Sequence, residues 1–444
     1  MIGDLAFPDK EYRLLSAGLL AHSEESCAVL LAGTGEHKGR LRLLVREIHE
    51  PSPDAYRVRS TIRAELKPEF IAPLIKRAHR SNSVLIFCHT HPGGEGFPQF
   101  STIDDGGEAL LAQYLLQRQV RGPHAALVIG HAGCRSRLLG TSNELRVTEI
   151  GPSVRVVSAQ NQNEINRETF DRQIRAFGEA GQRTLAAITV GIVGLGGTGS
   201  VIGQQLAYLG VRRFLLIDFD RADPSNLNRL VGASSFQANQ LKIDIAANHI
   251  RQINKNSEVE AVDGSVLDEG TAKRLLECDF VFCCTDNHGS RAVVQQMAYQ
   301  YYLPCIDMGV AITAEKGKVT HITARVQMMA PGLPCLTCGN LLDADAVRFD
   351  LMNPDQRAAD PYFTGDQASA QPAVISLNST AASLAVTMFL GAVTDIPAHA
   401  RFQSYNAIAG KVRVAAYTSD PMCVVSSSNG ALGKGDEWPL PVRR

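Results

Sequence analysis

Two imidazoles two residues apart, in His89-Thr90-His91-Pro92, are the first groups in this 444-residue chain whose spacing could do chemistry. On an extended segment, side chains at i and i+2 leave the same face, so both rings reach one metal ion. A carboxylate from a nearby helix start completes a three-ligand site, and Asp104 of Ser101-x-x-Asp104 holds that place. Catalytic zinc keeps a fourth position open for water and lowers the pKa of that water to about 7. A carboxylate must then carry the water's proton to the leaving amine, and a donor must meet the developing oxyanion. Glu25 and Ser101 are the candidates. The chemistry is hydrolysis of an amide bond.

A second constellation has the opposite character. Gly194-Leu195-Gly196-Gly197-Thr198-Gly199 follows an apolar run. Glycines there let the backbone approach a phosphate, and a following helix N-terminus favours its charge. The glycines alone fit NAD, FAD or ATP equally. Asp218, at the end of the next strand, suits ribose hydroxyls in any of them. Discrimination comes from Asn226, Arg229, Lys242 and Asp286. Hydride transfer has no use for an arginine, a lysine and a strand-end aspartate around the phosphates, whereas adenylation needs the cations on the pentavalent phosphate and the leaving pyrophosphate, with Asp286 on Mg²⁺.

The elements that must position these groups fall into two patterns. Residues 1–152 read as short strands with two helices, including a strand Val84–Cys88 that delivers His89 and a helix Pro68–Ser81 with Pro73 inside it. Residues 153–170 read as a linker. From Thr189, strands alternate with helices: strand to Gly194, helix Ser200–Leu209, strand Phe214–Asp218, helix Gln240–Asn254, strand Phe280–Cys284, helix Ser290–Tyr301, strand Pro304–Met308. That alternation predicts a doubly wound parallel sheet of Rossmann type, and segments 316–327 and 401–417 add antiparallel strands. Residues 421–444 read as a mostly disordered tail, with Trp438 in it.

Composition bounds the rest. An apolar fraction of 45% and a charged fraction of 20% are those of a globular protein of two or three domains. The net charge of −1 offers nothing to nucleic acid. Met1–Leu20 lacks the pattern of a signal peptide, and no uncharged apolar run is read as reaching the ~18 residues that span a bilayer. Ten cysteines in apolar contexts read as reduced, cytoplasmic usage.

Around residues 10–140, His-x-His-Pro with Ser-x-x-Asp downstream and Glu25-Ser26-Cys27 upstream resembles the JAB/JAMM (MPN) metalloprotease family. Its members remove ubiquitin-like proteins or cut C-terminal extensions. The resemblance implies an α/β, cytidine-deaminase-like sandwich in which His89, His91 and Asp104 bind zinc, Glu25 is the general base and Ser101 lies on the oxyanion side. Twelve residues separate His91 from Asp104 where the family has ten, an insertion that the loop Gly93–Pro98 absorbs. Asp105 is an alternative ligand that breaks the Ser-x-x-Asp spacing.

From Arg172-Gln173 to about residue 420, the chain resembles the ThiF/MoeB/HesA branch of the ubiquitin-activating superfamily. The resemblance implies that Asp218 binds ribose, that Asn226, Arg229 and Lys242 bind phosphates, and that Asp286 holds magnesium. It makes Arg172 an arginine reaching into a partner subunit's site, hence a homodimer. Leu230 and Asn239 depart from the usual glutamine and glycine. Cys335 and Cys338, with Cys423, match a structural zinc site whose fourth cysteine is replaced by Ser426. The cysteine with which some relatives carry the substrate has no counterpart in Tyr362–Pro372, so either transfer goes straight from the acyl-adenylate or another cysteine serves, with Cys335 and Cys338 the motif-supported candidates. Together the two resemblances imply a bifunctional enzyme using ATP, Mg²⁺ and zinc. One half adenylates the C-terminal glycine of a small β-grasp ubiquitin-like or sulfur-carrier protein, and the other cuts its precursor or conjugates. The alternatives are another carboxylate (a peptide or a tRNA-linked one), a dehydrogenase, or a degenerate first domain that only binds the carrier.

Overall fold

The computed structural model describes residues 3–159, 164–315, 318–359 and 372–443. Tyr362–Gln371, which includes Thr364 and Ser369, lies outside them. The chain divides into two units.

The first unit comprises residues 1–161, Gln300–Tyr302 and Ser427–Pro439. Its sheet runs in the order Gly3–Pro8, Arg40–His49, Cys27–His37, Val84–Thr90, Ala125–Gly130, Gly133–Leu138, Glu144–Ile150, Val154–Val156. Gly3–Pro8 also pairs with Glu144–Ile150, which closes the sheet on itself. In place of the expected cytidine-deaminase-like sandwich, the sheet is closed into a barrel, because the first strand has a hydrogen-bonding partner on both edges. Val84–Thr90 is buried on both faces. Val84, Ile86 and Cys88 enter one core with Leu5, Leu30, Leu43 and Leu127. Leu85 and Phe87 enter another, beneath helices Pro68–Arg80 and Thr102–Gln117. Two buried faces explain why this strand reads as a continuous apolar run rather than an alternation. Alternation then places His89 and His91 with Leu85 and Phe87, on the side of the helices.

Residues 427–439 of the expected disordered tail are instead an ordered part of this unit. Gly435 N donates to the Gln300 carbonyl at 3.0 Å and Asp436 N to the Thr34 carbonyl at 2.8 Å. Ala431 is fully buried. Gly33 admits this close approach: a Cβ there would sit 2.2 Å from the Gly433 carbonyl oxygen. Lys434 lies over the Trp438 ring at 4.4 Å. Segments held by backbone approach carry no hydrophobic period, so composition alone misreads them.

The second unit comprises residues 162–299, 303–426 and 440–444. Its sheet order is Glu258–Val262, Arg213–Ile217, Thr189–Val193, Phe280–Cys283, Cys305–Glu315, Lys318–Met329, Phe402–Asn406, Lys411–Val414. The first five strands are parallel and the last three antiparallel, as the alternation predicts. Cys305–Glu315 runs well past the expected Met308. The helix Arg167–Ala187 starts inside the expected linker, as does the strand Val154–Val156, and it bends at Gly178, whose φ is +74°.

The helix Ile375–Val393 corrects the bilayer expectation. Its 19 residues carry no charge, and by length and composition they are sufficient to cross a membrane. In this unit Ala381, Ala382, Ala385, Phe389 and Ala392 are buried, and the Phe389 ring meets Phe280 and Phe282. Small residues nearly all round leave it without a marked apolar stripe, and so without the signal that reveals a surface helix.

Candidate functional site

In the first unit, strand register assembles the cluster. Cys27 lies opposite His89 on neighbouring antiparallel strands, so Glu25, two residues earlier, comes level with His91. Thr90 locks this edge: Ser26 N donates to its Oγ1 at 2.9 Å, and Thr90 N donates to the Ser26 carbonyl at 3.0 Å. Ser101 caps the helix Thr102–Gln117, with Asp104 N donating to its Oγ at 3.2 Å and Ser101 N to Asp104 Oδ2 at 2.6 Å. The capping box thereby fixes the Asp104 carboxylate. His89 Nε2 lies 3.2 Å from His91 Nε2 and 3.2 Å from Asp104 Oδ1, and His91 Nε2 lies 3.7 Å from Asp104 Oδ2. Tetrahedral zinc with ligand bonds of about 2.0–2.1 Å sets edges near ~3.4 Å, so the donor set fits the ion. Glu25 is buried, and its Oε1 is 3.7 Å from His91 Nε2.

Electrostatics match these roles. Burial pushes the Glu25 carboxyl up, reinforced by the Asp104 charge, which favours a proton carrier. Burial and the His89 charge push His91 down, so its ring is neutral at pH 7. Burial opposes ionisation of Asp104, yet the His89 bond and charge, with the Ser101 N–H, hold it below the usual carboxylate range. His91 and Asp104 thus have the ionisation state that metal binding requires at neutral pH.

Ser101 acts here as a cap. Its hydroxyl accepts from Asp104 and, being a hydroxyl, has a proton left to donate. Asp105 is not a ligand: it is exposed and pairs with Arg137 at 2.7 Å. Exposed His22 and His131 line an open cleft with Ser23, Thr61, Pro92 and Gly93, adjoining His91 in sequence.

In the second unit, the glycine turn leaves strand Thr189–Val193 and enters helix Gly199–Tyr208. It lies where the sheet order reverses, between neighbours Arg213–Ile217 and Phe280–Cys283, the place at which such sheets take ligands. Gly194 has φ +88°, and a Cβ on Gly199 would meet the Gly194 carbonyl oxygen at 1.9 Å, so neither tolerates a side chain. Gly196 faces open space. Asp218 is buried, and its oxygens accept from Leu195 N at 2.6 Å and Asp220 N at 2.8 Å. It therefore braces the loop, and each oxygen keeps a lone pair for a ribose hydroxyl.

Lys242 begins its helix, and its Nζ donates to Asp220 Oδ2 at 2.7 Å. Arg229 donates to the Ser225 carbonyl at 2.7 Å, and its Cδ would touch a Cβ on Gly197 at 3.4 Å. Asn226 ends a short turn beside them. Asp286 is exposed in the turn after Phe280–Cys283, next to the glycine loop, because Cys284 N donates to the Val193 carbonyl at 2.8 Å. A single exposed carboxylate beside a phosphate cradle suits Mg²⁺, which takes one or two carboxylates and fills its sphere with phosphate and water. Arg172 is exposed on the arm that precedes Gly178.

The two departures have local reasons. Leu230 is buried with Ala222 and Ile245. Asn239 has φ +71°, a left-handed position that asparagine tolerates and glycine prefers. The sequence reading missed Asp220, which holds Lys242. It also missed fully buried Asp307, whose carboxylate lies between Arg291 and Arg325. Arg291 in turn donates to the Thr285 carbonyl at 3.0 Å, steadying the turn that carries Asp286. The Asp-x-Asp at 218–220 was the available signal for the first; the Asp307 pairing crosses strands and leaves none.

Cys335, Cys338 and Cys423 also converge, with each of Cys338 and Cys423 at 3.5 Å from Cys335 Sγ. Ser426 Oγ lies 3.5 Å from Cys338 Sγ, at the fourth corner. Thiolate edges around zinc are about 3.8 Å, so three donors fit, and the serine is a weak fourth. Burial pushes Cys335 up to about 12. Partial burial also acts on Cys338, but the Ser426 hydroxyl and the Asp420 N–H hold it below its ordinary value. All ten cysteines are free of disulfides. Cys283 is buried as expected, and Cys284 is partly accessible.

Comparison with known proteins bears on the second unit. The molybdopterin-synthase adenylyltransferase of Escherichia coli (strain K12) is 34% identical over 171 residues, 38% of this chain and 66% of that protein. Ubiquitin-like modifier-activating enzyme 5 of Gallus gallus is 26% identical over 240 residues, 50% of this chain and 54% of that protein. The chain thus spans 66% or less of the length of these relatives. The crystal structure of E. coli MccB with MccA-N7isoASN aligns with a TM-score of 0.47 at 17% identity, over 60% of this chain and 76% of that one. Residues 170–425, more than half of the chain, match the ThiF family, to which this protein belongs.

Proposed function

We propose that the second unit adenylates a terminal carboxylate with ATP and Mg²⁺. The reading rests on the glycine loop and what stands near it: Arg229 beside Gly197, Lys242 on Asp220 two residues from loop-bracing Asp218, and Asp286 in the turn after Cys284, which bonds the strand leading into the loop. A carboxylate oxygen attacks the α-phosphorus, the bond to the β-phosphate's bridging oxygen breaks, and pyrophosphate leaves. Lys242 and Arg229 offset the charge that collects on the phosphates, and Asp286 would hold the magnesium. The favoured substrate is the C-terminal glycine of a small β-grasp ubiquitin-like or sulfur-carrier protein. The reported relatives' names, a molybdopterin-synthase adenylyltransferase and a ubiquitin-like modifier-activating enzyme, support this class. A homodimer using Arg172, and a cytoplasmic location, belong to the same proposal.

The first unit is proposed as a JAB/JAMM-like zinc peptidase acting on that carrier's precursor or conjugates. The fit of His89, His91 and Asp104 to one ion supports it. Zinc, when bound, supplies Lewis acidity toward water and the scissile carbonyl. Glu25 takes and returns a proton, Ser101 holds Asp104 and offers a hydroxyl, and the barrel keeps both histidines on one face. Fusion places one unit's product at high local concentration for the other.

The test is exchange of labelled pyrophosphate into ATP in the presence of a β-grasp protein ending in Gly-Gly. Wild type exchanges, and Asp286→Ala lowers the rate roughly 100-fold or more. Equal rates sink the adenylation reading.

A further inference from the structure

One buried polar side chain in the second unit has no assigned work. Asn378 lies in the first turn of helix Ile375–Val393 and is 6% exposed. Its side-chain amide has no hydrogen-bond partner among the described residues, although its backbone N–H is satisfied by the Val374 carbonyl. Most of the residue is covered while its amide keeps a small opening, so a ligand seated there would meet an uncommitted donor. The amide's location says which ligand. A Cβ built on Gly197 would sit 2.2 Å from Asn378 Nδ2 and 3.4 Å from Arg229 Cδ, while the neighbouring Gly196 faces open space. Three separate segments therefore meet at one point of the glycine loop: the loop itself, the Arg229 turn and the helix that carries Asn378.

We propose that Asn378 is a nucleotide-contact residue, whose Nδ2–H donates to a non-bridging phosphoryl oxygen of ATP seated over Gly196–Gly197. This deepens the adenylation reading above and rests on it. The chemistry favours an amide at this spot. A neutral donor holds a phosphoryl oxygen without adding a third cation to Arg229 and Lys242. It also explains the glycine at 197, since any side chain there would displace the amide.

The test is MgATP affinity of the full chain by titration calorimetry for wild type, Asn378→Ala and Asn378→Asp. Asp keeps the size of Asn but replaces the donor with an anion. A phosphate contact predicts a loss of roughly 10-fold for Ala and a clearly larger loss for Asp. A packing role predicts the reverse, with Asp near wild type and Ala weaker. That order, or three equal affinities, overturns the assignment. Thermal midpoints of the three proteins show whether either variant has lost its fold. If Asn378→Asp has, Asn378→Ser, which keeps a donor in a smaller side chain, must bind more tightly than Asn378→Ala. Wild type that fails to bind MgATP overturns the adenylation reading, and this assignment with it.

Discussion

The two candidate sites differ in how finished they are. In the first unit, donor atoms of His89, His91 and Asp104 all lie within 4.8 Å of one another. Each is set by backbone: two by a strand buried on both faces, one by a capping box. In the second unit, the groups proposed to meet the nucleotide are parked on internal acceptors, Lys242 on Asp220 and Arg229 on the Ser225 carbonyl, while Asp286 is exposed. The difference follows from the ligands. A metal ion tolerates errors of tenths of an ångström, so its ligands must be placed in advance. A polyphosphate presents many oxygens and draws flexible cations to itself, so loops suffice to carry them.

The comparison breaks most sharply if the two sites are not independent. His89→Ala combined with His91→Ala removes two of three ligands, and one zinc per chain is expected to disappear in elemental analysis. MgATP affinity should stay at its wild-type value. Equal zinc in both proteins would mean that the cluster is not a metal site, leaving the first unit as a carrier-binding module. Zinc that persists in the variant at a lower stoichiometry would sit on Cys335, Cys338 and Cys423.

A smaller effect sharpens the contrast on the nucleotide side. Lys242→Ala removes a cation that is only 11% exposed, and MgATP affinity should fall roughly 10–100-fold, a loss of about 1.4–3 kcal/mol. Asp220→Ala should leave affinity unchanged or raise it, because the lysine no longer has a competing carboxylate. If Asp220→Ala weakens binding as much as Lys242→Ala, the pair is a fixed unit and this site is as preassembled as the other.

The same contrast explains what was legible in the sequence. The parallel sheet could be read because its strands are short apolar runs separated by helices, and the glycine turn marks the switch point. His89, His91 and Asp104 could be read because two local rules, strand alternation and helix capping, fix them. The barrel closure could not: Gly3–Pro8 meets Glu144–Ile150 across some 140 residues, and nothing local encodes that pairing. Residues 427–439 and the helix Ile375–Val393 escaped for different reasons, the one lacking any apolar period and the other mixing small, apolar and hydroxyl-bearing residues without a marked stripe. Asn378 escaped with its helix, since its meaning lies in a contact with Gly197 across 181 positions of sequence.

Ser101 offers the finest division, because capping and catalysis make different claims on one hydroxyl. Ser101→Ala removes the acceptor for Asp104 N, which should cost about 1 kcal/mol of stability. It also removes one half of the box, the 3.2 Å bond from Asp104 N to Ser101 Oγ, and so loosens the turn that holds the Asp104 carboxylate against Ser101 N at 2.6 Å. Zinc affinity is then expected to drop by roughly 10-fold, the lower end of what outer partners of metal ligands contribute. A serine that served only the oxyanion would leave stability and zinc affinity untouched and depress hydrolysis alone. Ser101→Asp separates the two further. It keeps a capping acceptor and restores stability, but its carboxylate repels a developing oxyanion and competes with Asp104 for the ion. Restored stability with hydrolysis still lost would show that capping sets the site and the hydroxyl proton serves the reaction.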